Sequence, residues 1–283
     1  MQRIGIIGAG TMGHGIAQVA AMAGFQVTMV DREQAFVDQG IQKVTANLEK
    51  GVARGKVTEE VRETALKGLA GSTQVSSAAD GADLIIEAIP ERLDLKTALF
   101  QQLEGIAPSH CIFATNTSSL SVASIAKTLQ DPGRVIGTHF FNPVHIMKLL
   151  EVIVAEDTRS EVVESIQEFG ARLGKEVILV KDFPGFATSR LGVALGMEAI
   201  RMVEQGVASP EDIDKAMVLG YRHPVGPLKL TDMVGLDVRL HIGEYLHAEL
   251  GNPAFQPPEL MRKMVNDGKL GRKSGQGFYT WPT

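Results

Sequence analysis

A glycine-rich turn follows the first predicted strand of the chain. Six residues come directly after the strand Ile4–Ile7: Gly8, Ala9, Gly10, Thr11, Met12 and Gly13. In this order the first glycine permits a tight turn, the second lets a pyrophosphate approach the backbone, and the third lets a helix pack on the strand. The N–H groups at the start of that helix suit a bound anion. Alone the pattern is weak evidence, because strand-to-helix turns often use glycine for steric reasons.

A carboxylate stands where a dinucleotide site needs one. Asp31 follows the second predicted strand, Val27–Val30, and lies 18 residues beyond Gly13. A carboxylate there accepts both hydroxyls of an adenosine ribose, so the two features together predict a dinucleotide site. Its charge repels a 2′-phosphate and favours NAD, although Arg32 could hold such a phosphate and leaves NADP possible. The alternative use of Asp31 is as the N-cap of the next helix.

One histidine is placed where an acid–base group would be needed. A bound nicotinamide carries the redox step, so the protein must supply a proton acceptor. His139 follows the predicted strand Val135–Thr138 at its carboxyl end, where open α/β sheets bind ligands. Twelve residues later Glu151 begins the next strand-like run, and its carboxylate could hold the imidazole in one tautomer. Spacing alone leaves contact open, because a packed or surface histidine and a solvated glutamate are the alternatives.

The pattern of predicted elements indicates how these residues are positioned. Short β-branched runs alternate with amphipathic stretches from residue 4 to about 180, which is typical of a parallel sheet flanked by helices. The predicted strands are Ile4–Ile7, Val27–Val30, Leu84–Ala88, Ile112–Thr115, Val135–Thr138, Leu149–Val154 and Val177–Val180. Later helices are Phe186–Glu204, Pro210–Leu219, Val234–Leu250 and Pro258–Asp267. The predicted fold class is α/β: a Rossmann-type doubly wound sheet over residues 1–182 and a smaller all-helical domain over residues 183–283.

Composition narrows the classes of partner. The net charge of −5 gives no global basic field, which disfavours a nucleic-acid partner. No apolar run approaches the roughly 18 residues of a membrane span, and the start of the chain leaves no room for a signal peptide, so we expect a cytoplasmic protein. Cys111 is the one cysteine, in an apolar strand-like run, and is expected to be a packed core thiol. No metal site is predicted.

Seven blocks of sequence are shared with a known family. They are Ile6–Gly13, Thr115–Ser119, Gly137–Pro143, Met147–Val152, Asp182–Phe186, His223–Pro227 and Gly271–Tyr279. In these blocks the chain resembles the (S)-3-hydroxyacyl-CoA dehydrogenases nearly end to end, and especially the bacterial 3-hydroxybutyryl-CoA dehydrogenases. The resemblance implies an NAD-dependent homodimer that interconverts short-chain 3-hydroxyacyl-CoA and 3-oxoacyl-CoA, in fatty acid or butanoate metabolism.

The resemblance also implies roles for single residues. It makes His139 the general base, Glu151 its orienting partner and Ser118 a hydrogen-bond donor to the substrate oxygen. Ser118 could equally cap a helix over Leu120–Leu129. The residues implied to bind the cofactor are Gly8, Ala9, Gly10, Thr11, Met12, Gly13, Asp31, Glu91, Lys96, Asn116, Ser118, Asn142 and Lys273. Those implied to contact coenzyme A are Ser118, Asn47, Lys50 and Arg54, the last three on the predicted helix Phe36–Arg54, for which a solvated face is the alternative.

One position departs from the family pattern. The family usually carries Pro-Gly-Phe-x-x-Asn-Arg, with the Asn helping to bind substrate near the base, and this chain has Ser189 in its place. Serine reaches less far and lacks the paired donor and acceptor of an amide. We therefore expect Ser189 to keep a weaker or water-bridged contact at the catalytic site.

Two other functions stay open on the sequence. A related sugar-acid dehydrogenase would share both domains but lack a coenzyme A site, and the block Thr138–Pro143 disfavours it. A non-catalytic NAD-binding protein draws support from Ser189 alone, and the presence of both His139 and Glu151 speaks against it.

Overall fold

The chain divides into two compact units. The computed structural model describes residues 1–282, and the units are Met1–Phe183 and the segment from Pro184 onward. The division falls one residue after the predicted boundary. Gly185 and Phe186 both have positive φ, 77° and 50°, so the backbone turns sharply where the second unit begins. A positive φ is uncommon outside glycine, which makes Phe186 a locally constrained residue.

The first unit is built on one eight-stranded sheet. Its strands are β1 (Arg3–Ile7), β2 (Gln26–Val30), β3 (Leu69–Ser72), β4 (Leu84–Glu87), β5 (Ile112–Thr115), β6 (Val135–Phe140), β7 (Leu149–Val154) and β8 (Glu176–Lys181). The spatial order is β3-β2-β1-β4-β5-β6-β7-β8. The order reverses between β1 and β4, which is the switch point of a doubly wound sheet, where ligands bind. The predicted Rossmann-type fold is confirmed.

Three details of the sheet differ from the prediction. β3 was not predicted, because its sequence Leu-Ala-Gly-Ser lacks β-branched residues and none of its residues is buried. β7 runs antiparallel to β6, since residues 141–148 hold no crossover helix, whereas the other neighbouring strands are parallel. His139 lies within β6 instead of after it. The antiparallel return is what sets the geometry of the site.

Seven helices flank this sheet. They are α1 (Thr11–Met22), α2 (Gln34–Ala53), α3 (Glu59–Lys67), α4 (Val75–Ala79), α5 (Leu93–Glu104), α6 (Val122–Ala126) and α7 (Ser160–Arg172). Buried apolar residues of β1, β2 and α1 form one core with those of α2 and α7, as the alternating pattern of each strand requires. Cys111, which directly precedes β5, is buried, and burial raises the pKa of its thiol to about 12. Cys111 is therefore the expected packed core thiol.

The second unit is helical apart from isolated β-bridges near residues 271–280. Its helices are α8 (Thr188–Glu204), α9 (Pro210–Lys215), a π-helical turn (Ala216–Gly220), α10 (Pro227–Val234), α11 (Leu236–Leu250) and α12 (Glu259–Asn266). α10 was not predicted because prolines and glycines surround its start. Buried Asp214 accepts hydrogen bonds from the N–H groups of Leu228 and Lys229 and so fixes that start. Across residues 1–282, no helix could cross a bilayer.

Candidate functional site

The glycine turn between β1 and α1 has two tight positions and one open one. Gly8 has a φ of +105°, and a Cβ there would lie 2.6 Å from the carbonyl oxygen of Ala88. A Cβ on Gly13 would lie 1.6 Å from the carbonyl oxygen of Gly8. At Gly10, by contrast, an added Cβ meets nothing within 4 Å, and no side chain caps α1. Steric crowding therefore explains why residues 8 and 13 are glycines. Gly10 leaves open space beside the N–H groups at the start of α1, as a bound pyrophosphate requires.

The carboxylate at the end of β2 is tied to this turn. Asp31 accepts hydrogen bonds from the N–H of Ala9 at 2.7 Å and of Arg32 at 2.8 Å. The N-cap of α2 is Glu33, so the alternative use of Asp31 as that cap is wrong. These hydrogen bonds fix Asp31 beside the glycine turn, which is the position of the carboxylate that binds the ribose in dinucleotide sites.

A cavity of about 710 Å³ adjoins both features. Polar and backbone surfaces of Gly8, Gly10 and Asp31 form one part of its wall, and the apolar side chains Phe36, Val75, Leu95 and Leu99 form another. Its volume lies in the range of small-molecule and cofactor sites. Arg32 is exposed, contacts Glu33 at 3.4 Å and lies over the ring of Phe36, so its charge has local partners. These residues fit a dinucleotide without a 2′-phosphate.

His139 and Glu151 face each other across the antiparallel pair of β6 and β7. They are directly opposed in the strand register, and Nδ1 of His139 lies 2.7 Å from Oε2 of Glu151. Both are buried, with 8% of His139 and 0% of Glu151 exposed. A carboxylate opposite Nδ1 makes that nitrogen the donor, so Nε2 becomes the acceptor nitrogen of a neutral ring. The arrangement can receive a proton on the imidazole and stabilise the resulting charge.

Ser118 belongs to a turn that is built on Glu91. Oε1 of Glu91 accepts hydrogen bonds from Thr117 Oγ1 at 2.6 Å, Ser118 N at 2.9 Å and Ser119 N at 3.2 Å. The hydroxyl of Ser118 also donates to this oxygen, at 3.3 Å. The following helix α6 is capped by Ser121, whose hydroxyl accepts from Ser124 N, so the alternative N-cap role of Ser118 is wrong.

Behind Glu91 lies an ion pair that the sequence reasoning did not single out. Lys96 and Glu87 are both fully buried, and Nζ of Lys96 lies 2.7 Å from Oε1 of Glu87 and 3.3 Å from Oε2 of Glu91. Burial raises the pKa of Glu87, although Lys96 and hydrogen bonds from Thr115 and the Ile89 N–H act in the opposite direction. The available signal was the spacing of Glu87 at the end of β4, Glu91 in the following loop and Lys96 on α5.

Comparison with known proteins decides the family. Residues 3–183 match the NAD binding domain of 3-hydroxyacyl-CoA dehydrogenase, and residues 185–281 match the C-terminal domain of the same enzyme. The chain belongs to the 3-hydroxyacyl-CoA dehydrogenase family. The predicted resemblance is thereby confirmed.

Relatives of this dehydrogenase family match over almost their whole length. The probable 3-hydroxybutyryl-CoA dehydrogenase of Bacillus subtilis is 43% identical, with 99% of this chain and 98% of the relative covered. The human mitochondrial hydroxyacyl-coenzyme A dehydrogenase is 42% identical, with 99% and 91% covered. Among solved structures, the (S)-3-hydroxybutyryl-CoA dehydrogenase PaaH1 of Ralstonia eutropha has a TM-score of 0.96 at 41% identity, and both chains are fully covered.

Two asparagines of the predicted 3-hydroxyacyl-CoA dehydrogenase site lie at the ends of β5 and β6. Oδ1 of Asn116 accepts a hydrogen bond from the N–H of Phe140 at 3.0 Å, which ties the two strand ends together. Asn142 is exposed at the start of the loop that leads to β7. Their predicted contacts with the cofactor stay predictions.

The three residues predicted to contact coenzyme A lie along one helix. Asn47 and Lys50 are on α2 and Arg54 directly follows it, at spacings of three and four residues that share a helix face. The side-chain amide of Asn47 donates to Gln18 of α1 at 3.1 Å, while Lys50 and Arg54 are exposed. The structure thus places two cations on an accessible face, and their ligand stays a prediction.

Two predicted site residues belong to the second unit. Ser189 lies in the first turn of α8 and is partly buried. Lys273 follows Gly271 in a short 3-10 turn, and its ammonium contacts Oδ2 of Asp237 at 2.6 Å. Within the helical unit Lys273 therefore has a carboxylate partner, and its predicted contact with the cofactor stays a prediction.

Proposed function

We propose that this 3-hydroxyacyl-CoA dehydrogenase interconverts 3-hydroxybutyryl-CoA and acetoacetyl-CoA with NAD. The observation that carries the proposal is the 2.7 Å contact between His139 and Glu151 at the carboxyl end of the sheet that also bears the glycine turn. A held imidazole beside a dinucleotide site is what oxidation of a secondary alcohol requires. The names of the bacterial relatives support the short-chain substrate.

The residues of the first unit would hold NAD. The N–H groups at the start of α1 would receive the pyrophosphate next to Gly10, and Asp31 would accept the ribose hydroxyls. Bound NAD would supply the hydride acceptor. The rest of the chemistry belongs to this chain's own side chains, which must orient the thioester and move one proton.

The proton of the substrate hydroxyl would pass to Nε2 of His139. Glu151 would hold the ring in the accepting tautomer and stabilise the imidazolium that forms, as the carboxylate of other catalytic histidines does. Ser118, whose N–H is held by Glu91, would turn its hydroxyl away from Glu91 and donate its single proton to the same oxygen. In the reverse direction His139 would return the proton to the oxygen of the 3-oxo group.

We also propose that the enzyme is a cytoplasmic homodimer. The second unit carries large apolar side chains on its surface, including Leu191 with 72% exposed and Met233 with 47% exposed. Large apolar side chains that remain exposed are typical of surfaces that contact a second copy of the chain. Sedimentation of the purified chain tests this: a dimer mass supports the proposal, and a monomer at micromolar concentration contradicts it.

A spectrophotometric assay tests the proposed reaction. NADH absorbance is followed with acetoacetyl-CoA and with 3-oxoacyl-CoAs of six, eight and sixteen carbons, and in parallel NAD is supplied with a sugar acid. We expect turnover with the thioesters and the highest kcat/KM for the C4 compound. Turnover of the sugar acid alone would favour the related sugar-acid dehydrogenase, and no turnover of any substrate would favour a non-catalytic NAD-binding protein.

A further inference from the structure

A cluster of three charged residues lies at the carboxyl end of β4. Glu87 and Lys96 are completely buried, while 32% of the Glu91 side chain is exposed. The ammonium of Lys96 contacts both oxygens of Glu87, at 2.7 and 2.9 Å, and Oε2 of Glu91 at 3.3 Å. It also donates to the carbonyl oxygen of Asn116 at 3.4 Å. Lys96 therefore contacts Glu91, the one member of the cluster that is partly exposed.

Stability alone is a poor reason for a buried pair of this kind. Burying two charges costs the free energy of removing them from water. Their mutual attraction rarely exceeds this cost, and a protein with an apolar pair of similar volume is often as stable. Here the carboxylate of Glu87 is fully satisfied, since Thr115 Oγ1 and the N–H of Ile89 each donate to it at 2.7 Å. Glu87 therefore fixes the ammonium of Lys96, and Lys96 in turn fixes the carboxylate of Glu91.

The other oxygen of Glu91 organises the turn at residues 117–119. Five donors converge on Oε1: the hydroxyls of Thr117, Ser118 and Ser119 and the N–H groups of Ser118 and Ser119. A negatively charged oxygen gathers donors in this way, whereas a protonated carboxyl is a much weaker acceptor. Burial alone would raise the pKa of Glu91, but the charge of Lys96 and the hydrogen bonds from Thr117 and the Ser118 N–H lower it below its usual value.

We propose that Lys96 is a positioning residue for the thioester: anchored by Glu87, it holds the Glu91 carboxylate in place, and Glu91, through the N–H of Ser118, fixes the residue whose hydroxyl turns to the substrate. The inference rests on the proposed function, in which Ser118 donates to the substrate oxygen. It differs from the expected role of Lys96 as a cofactor ligand, because the whole side chain of Lys96 is enclosed by protein.

The charges around Glu91 predict a pH signature. Lys96 of α5 contacts Glu91, with Glu87 of β4 behind it, while the neighbouring Arg92 is paired with Asp94. Without Lys96, Glu91 would lose the charge that does most to lower its pKa, so its carboxylate would take up a proton more readily. Protonation of Glu91 would weaken the acceptor on which the turn is built. The loss of kcat/KM in a variant without Lys96 should therefore be largest at low pH and should diminish as the pH rises.

The first variant of the test is Lys96→Met. The second combines Lys96→Met with Glu87→Gln, so that no unpaired carboxylate is left buried. Thermal unfolding identifies the folded variants, and Lys96→Gln, which removes the charge but keeps a polar donor, serves if neither folds, with the same effects at smaller size. We expect kcat/KM for acetoacetyl-CoA to fall by about 10- to 100-fold, as for loss of a charge-assisted hydrogen bond. The Kd of NADH, measured by fluorescence titration, should stay close to that of the unmodified chain. Arg92→Met, which removes an exposed cation nearby, is the control.

A double-mutant cycle with Ser118→Ala decides whether Lys96 acts through Ser118. If it does, Ser118→Ala costs little further activity once Lys96 is gone. Additive losses, an equal loss of NADH affinity, or an unchanged pH profile would overturn the inference. An unmodified chain that turns over no thioester would instead overturn the proposed function, so the two failures are distinguishable.

Discussion

His139 and Glu151 are twelve residues apart in the chain, and their side chains meet because β7 returns antiparallel to β6. Directly opposed residues of an antiparallel pair point to the same face of the sheet. The strand register therefore places the Glu151 carboxylate next to Nδ1 of His139. The sequence identified both residues and their types but not the contact, because the direction of β7 depends on a loop without a helix. The cluster of Glu87 and Lys96 was missed for the related reason that burial of charge is not visible in a local pattern.

Glu151→Gln tests the orienting role of the carboxylate. The amide keeps the size of the buried side chain but can donate to Nδ1, which would favour the tautomer that carries its proton on Nε2. We expect kcat to fall by about 10²-fold or more, in the range of lost general-base catalysis, while the Kd of NADH is unchanged. Steady-state kinetics and fluorescence titration measure the two quantities. Full activity of this variant would remove Glu151 from the mechanism.

Asp31→Ala tests the ribose contact. Loss of the carboxylate removes an acceptor for the ribose hydroxyls and also the repulsion of a 2′-phosphate, so the KM for NAD should rise far more than that for NADP. Asp38→Ala, which removes an exposed carboxylate from α2, is the matched control and should change neither value. Equal effects of Asp31→Ala on the two cofactors would contradict the assignment.

At the scale of elements, the strands that carry strong β-branched patterns were predicted within one or two residues. β1, β2 and β5 have buried apolar residues at nearly every position, whereas β3 carries none and was missed. α10 was obscured by the prolines and glycines around Gly226, and its start depends on Asp214, which is more than ten residues away. Local patterns therefore predict elements whose stability is local, and they miss elements that tertiary contacts hold.

Two variants in the turn between β1 and α1 distinguish a glycine required by packing from a glycine required by the ligand. Gly13→Ala would force a Cβ against the carbonyl oxygen of Gly8, so we expect a clear fall in Tm. Gly10→Ala has open space and an ordinary φ of −67°, so the fold should tolerate it while the methyl group obstructs the pyrophosphate. Its Tm should stay near that of the unmodified chain, and its Kd for NADH should rise about tenfold or more, as when close backbone approach is lost. Unchanged NADH affinity in Gly10→Ala would contradict the assigned site.

At the scale of the whole molecule, each unit has its own core, and the chemistry proposed here is concentrated in the first. The second unit packs α8, α11 and α12 around Met197, Leu246 and Met261, which are buried independently of the sheet. The two family domains cover both units, residues 3–183 and residues 185–281. Ser189, at the start of α8, is a position where the sequence is expected to depart from the family pattern.

Ser189→Asn tests that departure. If serine keeps only a weaker or water-bridged contact, the amide of asparagine should retain or increase kcat/KM for acetoacetyl-CoA. Ala187→Asn, in the residue just before α8, is the control for added bulk at this end of the helix. A clear reduction of kcat/KM in Ser189→Asn would show that the pocket is built around serine.

In the proposed reaction His139 receives the proton of the substrate hydroxyl, and the variant His139→Gln is the sharpest check of that role. Its kcat with 3-hydroxybutyryl-CoA and NAD is compared with that of the unmodified chain, with the Kd of NADH measured on the same samples. We expect kcat to fall by about 10²- to 10⁴-fold while NADH binding stays nearly intact. An unchanged kcat would contradict this role of His139.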